Sequence, residues 1–199
     1  MYDFTSMISR RNTDSVKWDV KPNELPMWVA DMDFKVAPEI LDAMRQKVDF
    51  GIFGYEEPHT DYFDAVAHWY QTEHHATIKR DWMFFSTGVV PTISSAVRRV
   101  TNVGDNVLVQ APVYNIFYNS IVNNGRHVLS SDLVYDQKAH QYQIDWDDLD
   151  AKLAEPLTTM MILCNPHNPI GKVWTKAELV KINQLCLKHS VTLLSDEIH

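Results

Sequence analysis

The chain has 199 residues, of which 45% are hydrophobic, and a formal net charge of −8 at pH 7. This composition is typical of a soluble globular protein with one good core, or with one domain and part of another. The acidic balance, without a Lys/Arg run, argues against a nucleic-acid or anionic membrane surface. No apolar stretch approaches the roughly 20 residues of a membrane span, and the first residues lack the apolar core of a signal peptide. We therefore expect a cytoplasmic protein.

The cysteines and histidines indicate neither disulfides nor metal. Cys164 and Cys186 are the only two cysteines, too few for a disulfide framework and unlike any paired zinc spacing. We expect both to be buried thiols. His74 and His75 lack a second pair of ligands, so we predict no metal site.

The first eighty residues differ in pattern from the rest. Segments 38–48 and 61–75 have the apolar spacing of amphipathic helices, separated by a loop that contains two glycines and a proline. The first forty residues show few periodic signals. We expect an N-terminal arm and a piece of a small domain, followed by a sheet.

From about residue 82 the sequence alternates between short apolar runs and amphipathic stretches. The Thr175 to Glu178 stretch is a capping box, which marks the start of one helix. Strand, helix, strand at this spacing predicts a largely parallel sheet and an α/β fold. The predicted strands are 82–85, 106–110, 127–133, 159–164 and 191–195.

Polar and turn residues follow several of these strands. Ligands of open α/β sheets bind beyond the carboxyl ends of the strands. Gly88 permits a tight turn into a helix, whose free N–H groups can bind a phosphate. Tyr114 places an aromatic ring at the same edge, and Asn168 belongs to the second of two Asn-Pro steps within five residues. Asp196 ends the last strand. Burial of a carboxylate there is unfavourable unless a cation or hydrogen-bond donors contact it.

Each of these features alone has a simpler explanation, such as a tight turn or a packed ring. Together they match one cofactor. Pyridoxal phosphate has a phosphate tail, a flat ring, a phenolic oxygen that accepts hydrogen bonds and a pyridine nitrogen that works as an electron sink when it is protonated. A nicotinamide dinucleotide or a nucleoside triphosphate fits less well, because no G-x-G-x-x-G or P-loop is present.

Four motifs carry a family resemblance. STGVVPTI, APVYNIF, CNPHNPIGKVW and SDEIH, in this order, resemble the class I/II aminotransferase superfamily with the type I pyridoxal-phosphate fold. WVADMDF, FGYEEP, the HNPIGKVW form of the third motif and His199 are similar to the MalY/PatB group of carbon–sulfur β-lyases, also called cystathionine β-lyases. Aminotransferases more often carry Tyr where His199 stands.

The resemblance implies a role for each matching residue at the cofactor. The backbone N–H groups of Gly88, Val89 and Val90 would hold the phosphate, and the ring of Tyr114 would stack on the pyridine. Asn168 would hydrogen-bond the phenolic oxygen, with His199 near the same side of the ring.

Three further roles follow from the same resemblance. Asp196 would pair with the pyridinium nitrogen. Tyr55 would reach the cofactor phosphate of a neighbouring subunit, which implies a homodimer, and Ala30 would line the pocket of a small amino-acid substrate. Asp196, Tyr114 and Tyr55 are therefore the candidate catalytic residues. Lys172 does not match the lysine that the family uses to hold its cofactor.

The resemblance also implies a domain division and an incomplete sheet. We expect residues 1–45 to form an N-terminal arm and part of a small domain, and residues 46–199 an incomplete cofactor-binding large domain. The family's sheet has about seven strands, of which five map here, so 82–85 would lack a ladder partner and 191–195 would form an exposed edge. The cofactor lysine would follow beyond residue 199, so we expect an N-terminal portion that is inactive alone.

The implied reaction is β-elimination from a sulfur amino acid, which gives a thiol, pyruvate and ammonia. Two alternatives remain open. One is an aminotransferase on the same fold. The other is a catalytically inactive relative that acts as a binding or regulatory partner.

Overall fold

The computed structural model describes residues 2–199, which divide into two units between His59 and Thr60. The predicted assignment of residues 1–45 and 46–199 to a small and a large domain stays a prediction. The helices are α1 Pro38–Phe50, α2 Thr60–His74, α3 Val89–Val100, α4 Ile116–Val122, α5 Trp146–Leu153 and α6 Lys176–Lys188. The strands are β1 Asn106–Val109, β2 His127–Ser130, β3 Val134–Asp136, β4 Gln141–Gln143, β5 Thr158–Cys164 and β6 Thr192–Asp196.

The first unit contains one helix and irregular backbone. Helix α1 begins with Pro38, whose fixed φ suits a first helical turn, and it ends at Gly51, whose φ of 71° closes the helix. The predicted helix at 38–48 is therefore confirmed.

The second unit is built on a parallel sheet, as predicted. Four strands lie in the order β2, β1, β5, β6, and every neighbouring pair is parallel. Helices α3 and α4 pack on one face of the sheet, and α5 and α6 on the other. Parallel sheets covered on both faces have nearly continuous apolar strands, which explains the sequence pattern.

Successive side chains of β1 point to opposite faces of the sheet and so contribute to both hydrophobic cores. Val107 and Val109 contribute to the core under α3 and α4, whereas Leu108 contributes to the core under α5 and α6. All three side chains are fully buried. Residues at the end of such a strand are therefore held in a fixed direction.

One predicted strand has no ladder partner, as the resemblance led us to expect, and one hairpin was missed. Residues 82–85 join no ladder within the described chain; Trp82 ends the 3-10 turn Arg80–Trp82, and Met83 after it is extended. Strand β2 ends at Ser130, and β3 and β4 then form an antiparallel hairpin. Strand β6 is an edge strand, as expected.

Local predictions in the second unit hold. Thr175 and Glu178 form the capping box at the start of α6, with both reciprocal hydrogen bonds present. Cys164 and Cys186 are free and buried. Across residues 2–199, none of the helices combines the length and apolar character that crossing a bilayer requires.

Candidate functional site

The carboxyl ends of β1, β5 and β6 lie at the same edge of the sheet, because the three strands are parallel neighbours. Tyr114 lies in the loop after β1, Asn168 in the loop after β5, and Asp196 is the last residue of β6. The backbone N–H of Asn165 donates to the carbonyl of Asp196 over 2.9 Å. The parallel register thus brings the predicted motifs to one edge.

Asp196 is a buried carboxylate, with 7% of its surface exposed. Its Oδ1 accepts a hydrogen bond from the backbone N–H of Ile198 at 3.2 Å. Among residues 2–199, no Lys, Arg or His forms an ion pair with it. A buried carboxylate is unfavourable without a cationic partner, so this position fits a cationic ring nitrogen.

The turn before α3 presents free backbone donors. Gly88 is extended, with φ of 168° and ψ of 158°, and the first intrahelical bond runs from the Thr92 N–H to the Gly88 carbonyl. The N–H groups of Val89 and Val90 precede that bond and have no intrahelical acceptor. This geometry fits a phosphate at the helix N-terminus.

The hydroxyl of Thr92 belongs to the same turn and was not predicted from the sequence. Its Oγ1 lies 2.8 Å from the Gly88 carbonyl and 2.7 Å from the Oγ of Ser86. A hydroxyl four residues after the turn glycine is the sequence signal that could have found it, since residues i and i+4 share a helix face. Two hydroxyls therefore flank the free N–H groups.

A cavity of about 500 Å³ joins the start of α3 to the end of β6. Gly88, Val89, Thr92 and Asp196 all line it. Its other walls are mostly aromatic or aliphatic and include Tyr62, Tyr70, Phe84, Phe85, Leu194 and Ile198. The structure thus brings the predicted phosphate turn and the predicted ring carboxylate into one cavity.

The other predicted ring contacts do not line that cavity. Tyr114 is 38% exposed and packs edge-on against Phe117, with ring centroids 6.0 Å apart. Asn168 is half-buried, and its backbone N–H points to the sulfur of Cys164 at 3.3 Å. His199 is exposed. Val90, which was predicted as a phosphate contact, is 41% exposed. Tyr114, Asn168 and His199 therefore follow strand ends at this edge of the sheet but do not line the cavity that contains Asp196.

Neither Cys164 nor Lys172 is a free nucleophile. Burial raises the pKa of the Cys164 thiol, and the nearby charge of Asp196 raises it further against the opposing hydrogen bond from Asn168. Lys172 donates to the carbonyl of Tyr142 and to Glu178, both at 2.9 Å. Both groups therefore have structural partners.

Ala30 and Tyr55 belong to the first unit. Ala30 is exposed in the segment 28–34, and Tyr55 is fully exposed. The sequence predicts both as site residues through the family resemblance, and their roles stay predictions.

Polar contacts hold the segment around Ala30 in place. The side chain of Asp33 accepts from the Nζ of Lys17 at 2.8 Å and from the indole N–H of Trp18 at 2.6 Å. Arg10 forms ion pairs with both Asp31 and Asp33. The bonds from Lys17, Trp18 and Arg10 together lower the pKa of the Asp33 carboxyl to about 2.

Comparison with known proteins agrees with this geometry. Residues 25–199 match the model of the family described as aminotransferase class I and II. The chain belongs to this family. The match covers most of the chain, so the predicted family is confirmed.

Relatives in the class I and II aminotransferase family include named lyases. The chain is 46% identical to cystathionine beta-lyase PatB of Bacillus subtilis, over 99% of the chain and 52% of that protein. It is 36% identical to protein MalY of Escherichia coli, over 100% of the chain and 52% of that protein. The chain spans about half the length of these curated relatives.

Solved structures of the family share the fold. Cystalysin from Treponema denticola, described as containing a pyridoxal 5'-phosphate cofactor, matches with a TM-score of 0.91 and 37% identity, over 100% of this chain and 52% of its own. A C-S lyase from Staphylococcus hominis, also described as bound to that cofactor, matches with a TM-score of 0.88 and 31% identity, over the same shares. The predicted fold class is therefore confirmed.

Proposed function

We propose that this chain forms part of a pyridoxal-phosphate-dependent carbon–sulfur β-lyase of the cystathionine β-lyase type. The observation that carries the proposal is Asp196, a buried carboxylate without a cationic partner in the described chain, which shares a cavity with a helix N-terminus. The name of the relative at 46% identity, a cystathionine beta-lyase, supports the same reaction class.

The cofactor phosphate would bind at the start of α3. The backbone N–H groups of Gly88, Val89 and Val90 would donate to its oxygens, and the positive end of the helix dipole would favour its charge. The hydroxyls of Ser86 and Thr92, which lie beside Gly88, can donate to the same anion.

The ring would be held by residues from three strand ends. Tyr114 would stack on its face, Asn168 would donate to its phenolic oxygen with His199 nearby, and Asp196 would hold a proton at the ring nitrogen. When bound, pyridoxal phosphate supplies an acceptor for the electron pair that is left when the substrate α-proton is removed. The negative charge of Asp196 would stabilise the protonated ring nitrogen, and a protonated ring accepts this electron pair more readily.

The substrate would be a small sulfur amino acid. Elimination breaks the bond between Cβ and sulfur, and uptake of water then gives pyruvate and ammonia beside the released thiol. Ala30 would line the pocket for this substrate. Tyr55 would contact the cofactor phosphate in the second subunit of a homodimer, and we propose a cytoplasmic location for the enzyme.

Product analysis tests the proposal in the full-length polypeptide that contains these residues. With pyridoxal phosphate and cystathionine, we expect pyruvate, ammonia and thiol in equal amounts, without an added 2-oxo acid. If an amino acid forms from an added 2-oxo acid and pyruvate does not accumulate, the aminotransferase alternative is correct. If the added cofactor gives no imine absorption band that borohydride abolishes, the protein is the inactive relative.

A further inference from the structure

His167 is a buried titratable side chain to which the proposed function gives no role. Only 1% of its surface is exposed. Its Nε2 lies 2.9 Å from the carbonyl oxygen of Pro112, and its ring packs edge-on against Trp174 with centroids 5.5 Å apart. The side chain therefore connects the loop after β5 to the loop after β1.

The contact with Pro112 fixes the tautomer of His167. A carbonyl oxygen can only accept, so the proton must be on Nε2. Nδ1 has no hydrogen-bond partner within the described residues. Burial lowers the pKa of the imidazole and outweighs the carbonyls of Pro112 and Gln110, which favour the charged form. The ring is therefore neutral and donates a single directed bond.

The backbone around His167 is held as firmly as its ring. Its N–H donates to the carbonyl of Lys172 at 2.7 Å, and its carbonyl accepts from the N–H of Gly171 at 2.8 Å. On the other side, Pro112 precedes Val113, whose side chain is buried in the core under α3 and α4. The hydrogen bond thus joins two ordered segments.

The two joined loops carry two of the predicted ring contacts. Asn168 directly follows His167, and Tyr114 lies two residues after Pro112. The bond from His167 to Pro112 joins the two loops close to both residues. A ring that is stacked on one face and hydrogen-bonded at its oxygen needs that separation to be constant.

We propose that His167 is a positioning residue that holds the ring of Tyr114 and the amide of Asn168 in register at the cofactor. This proposal rests on the proposed function, since it assigns Tyr114 and Asn168 to the cofactor ring. His167 acts through these two residues and does not contact the ring itself.

Three substitutions separate the hydrogen bond from simple packing. In His167→Gln the amide nitrogen has about the reach of imidazole Nε2, so the bond to Pro112 is kept. His167→Asn has a donor that falls short of the Pro112 carbonyl. His167→Phe keeps the ring against Trp174 without a donor.

The first measurement uses the full-length polypeptide with pyridoxal phosphate. We expect His167→Asn and His167→Phe to bind the cofactor about tenfold more weakly, the effect of one lost hydrogen bond with an unpaired buried acceptor. Their visible absorption maximum should also shift, because the bond from Asn168 to the phenolic oxygen is altered. His167→Gln should retain the wild-type affinity and spectrum.

The second measurement needs no cofactor. Hydrogen exchange of residues 111–116 should be about tenfold faster in His167→Asn and His167→Phe than in wild type, and unchanged in His167→Gln. Leu149→Ala, which removes a buried side chain of α5, serves as the control for general destabilisation. It should lower the unfolding midpoint without changing the cofactor spectrum.

The outcomes distinguish the two proposals. If wild type develops no absorption band with the cofactor, the proposed function fails, and the role of His167 at the cofactor fails with it, whereas the exchange of 111–116 still shows whether the loops are joined. If wild type binds, and His167→Asn or His167→Phe folds with affinity within about twofold of wild type and an unchanged spectrum, the positioning role is overturned. A His167→Gln protein as impaired as His167→Phe would overturn it as well.

Discussion

Asp196 is the register partner of Cys164 in the ladder between β5 and β6. Both residues are buried, and both are the last residues of their strands. The carboxylate is therefore held by two neighbouring strands, with the Ile198 N–H as its hydrogen-bond donor. A group fixed in this way can face a cofactor ring without rearranging.

Asp196→Asn should lower turnover in the full-length polypeptide by about a thousandfold, or about 4 kcal/mol of transition-state stabilisation. The amide keeps the shape of the carboxylate but removes the charge that favours a protonated ring nitrogen. The measurement is kcat for pyruvate release at saturating cofactor.

Asp105→Asn is the matched control for Asp196→Asn. Asp105 is equally buried, but it precedes β1 at the opposite edge of the sheet and accepts bonds from Asn102 and Thr159. Its substitution should reduce stability and leave kcat unchanged. Equal losses of kcat in the two variants would contradict the role of Asp196.

Val89→Pro should weaken pyridoxal-phosphate binding by about 10- to 100-fold, the range for one charge-assisted hydrogen bond. Proline is favoured at the first helical position, and the ψ of Gly88, 158°, lies in the extended range that a residue before proline adopts. The helix should therefore persist while one phosphate donor is deleted. Equilibrium titration of the apo protein with the cofactor measures the change.

Val89→Ala is the control for that experiment, because it shortens the side chain and keeps the N–H. It should retain affinity within about threefold, since the lost side chain is not a phosphate donor. If Val89→Pro is folded by circular dichroism and binds the cofactor as tightly as Val89→Ala, the phosphate does not use this N–H.

The sequence predicted the parallel sheet and the edge at which the site lies because both depend on local patterns. The apolar run 159–164 is buried on two faces, and Asp196 directly follows the apolar run 191–195 of the edge strand. The segment 82–85 joins no ladder within the described chain, as the resemblance to the family led us to expect. Apolar residues favour a strand, but a strand also requires a hydrogen-bond partner, and partners are set by tertiary contacts.

Long-range polar contacts also could not be predicted from the sequence. The bond from His167 to Pro112 joins residues 55 positions apart, and the bond from Lys17 to Asp33 joins residues 16 apart. No periodicity links such pairs. By contrast, the capping box joins Thr175 and Glu178, which are three positions apart, and it was predicted correctly.

Tyr55 should act in the subunit opposite to its own. Its side chain is fully exposed in the first unit, as expected of a residue that contacts another chain. Tyr55→Phe subunits mixed with Asp196→Asn subunits should regain about a quarter to a half of wild-type activity per heterodimer, because one of its two sites is then intact. Chromatographically isolated heterodimers, made with two affinity tags, allow the measurement. Activity no higher than that of the parent homodimers would mean that Tyr55 acts within its own subunit.

The segment 28–34 should loosen in acid through Asp33. Hydrogen bonds from Lys17, Trp18 and Arg10 lower the pKa of its carboxyl to about 2 in the folded chain, against about 3.9 for an unfolded aspartate. A carboxyl with a lowered folded pKa stabilises the native state above its unfolded pKa. That stabilisation is lost as the pH falls below about 4 toward 2.

Hydrogen exchange of residues 28–34 in wild type and Asp33→Asn tests this, since the ratio of the two rates at one pH cancels the intrinsic pH dependence of exchange. The variant should exchange faster by a constant factor from about pH 7 to 5, and the ratio should approach one as Asp33 protonates in wild type below about pH 4. Asp19→Asn, an exposed carboxylate in the same unit, should give a ratio near one throughout. A ratio for Asp33→Asn that does not change with pH would show that the bonds from Lys17 and Trp18 do not depend on the charge of this carboxylate.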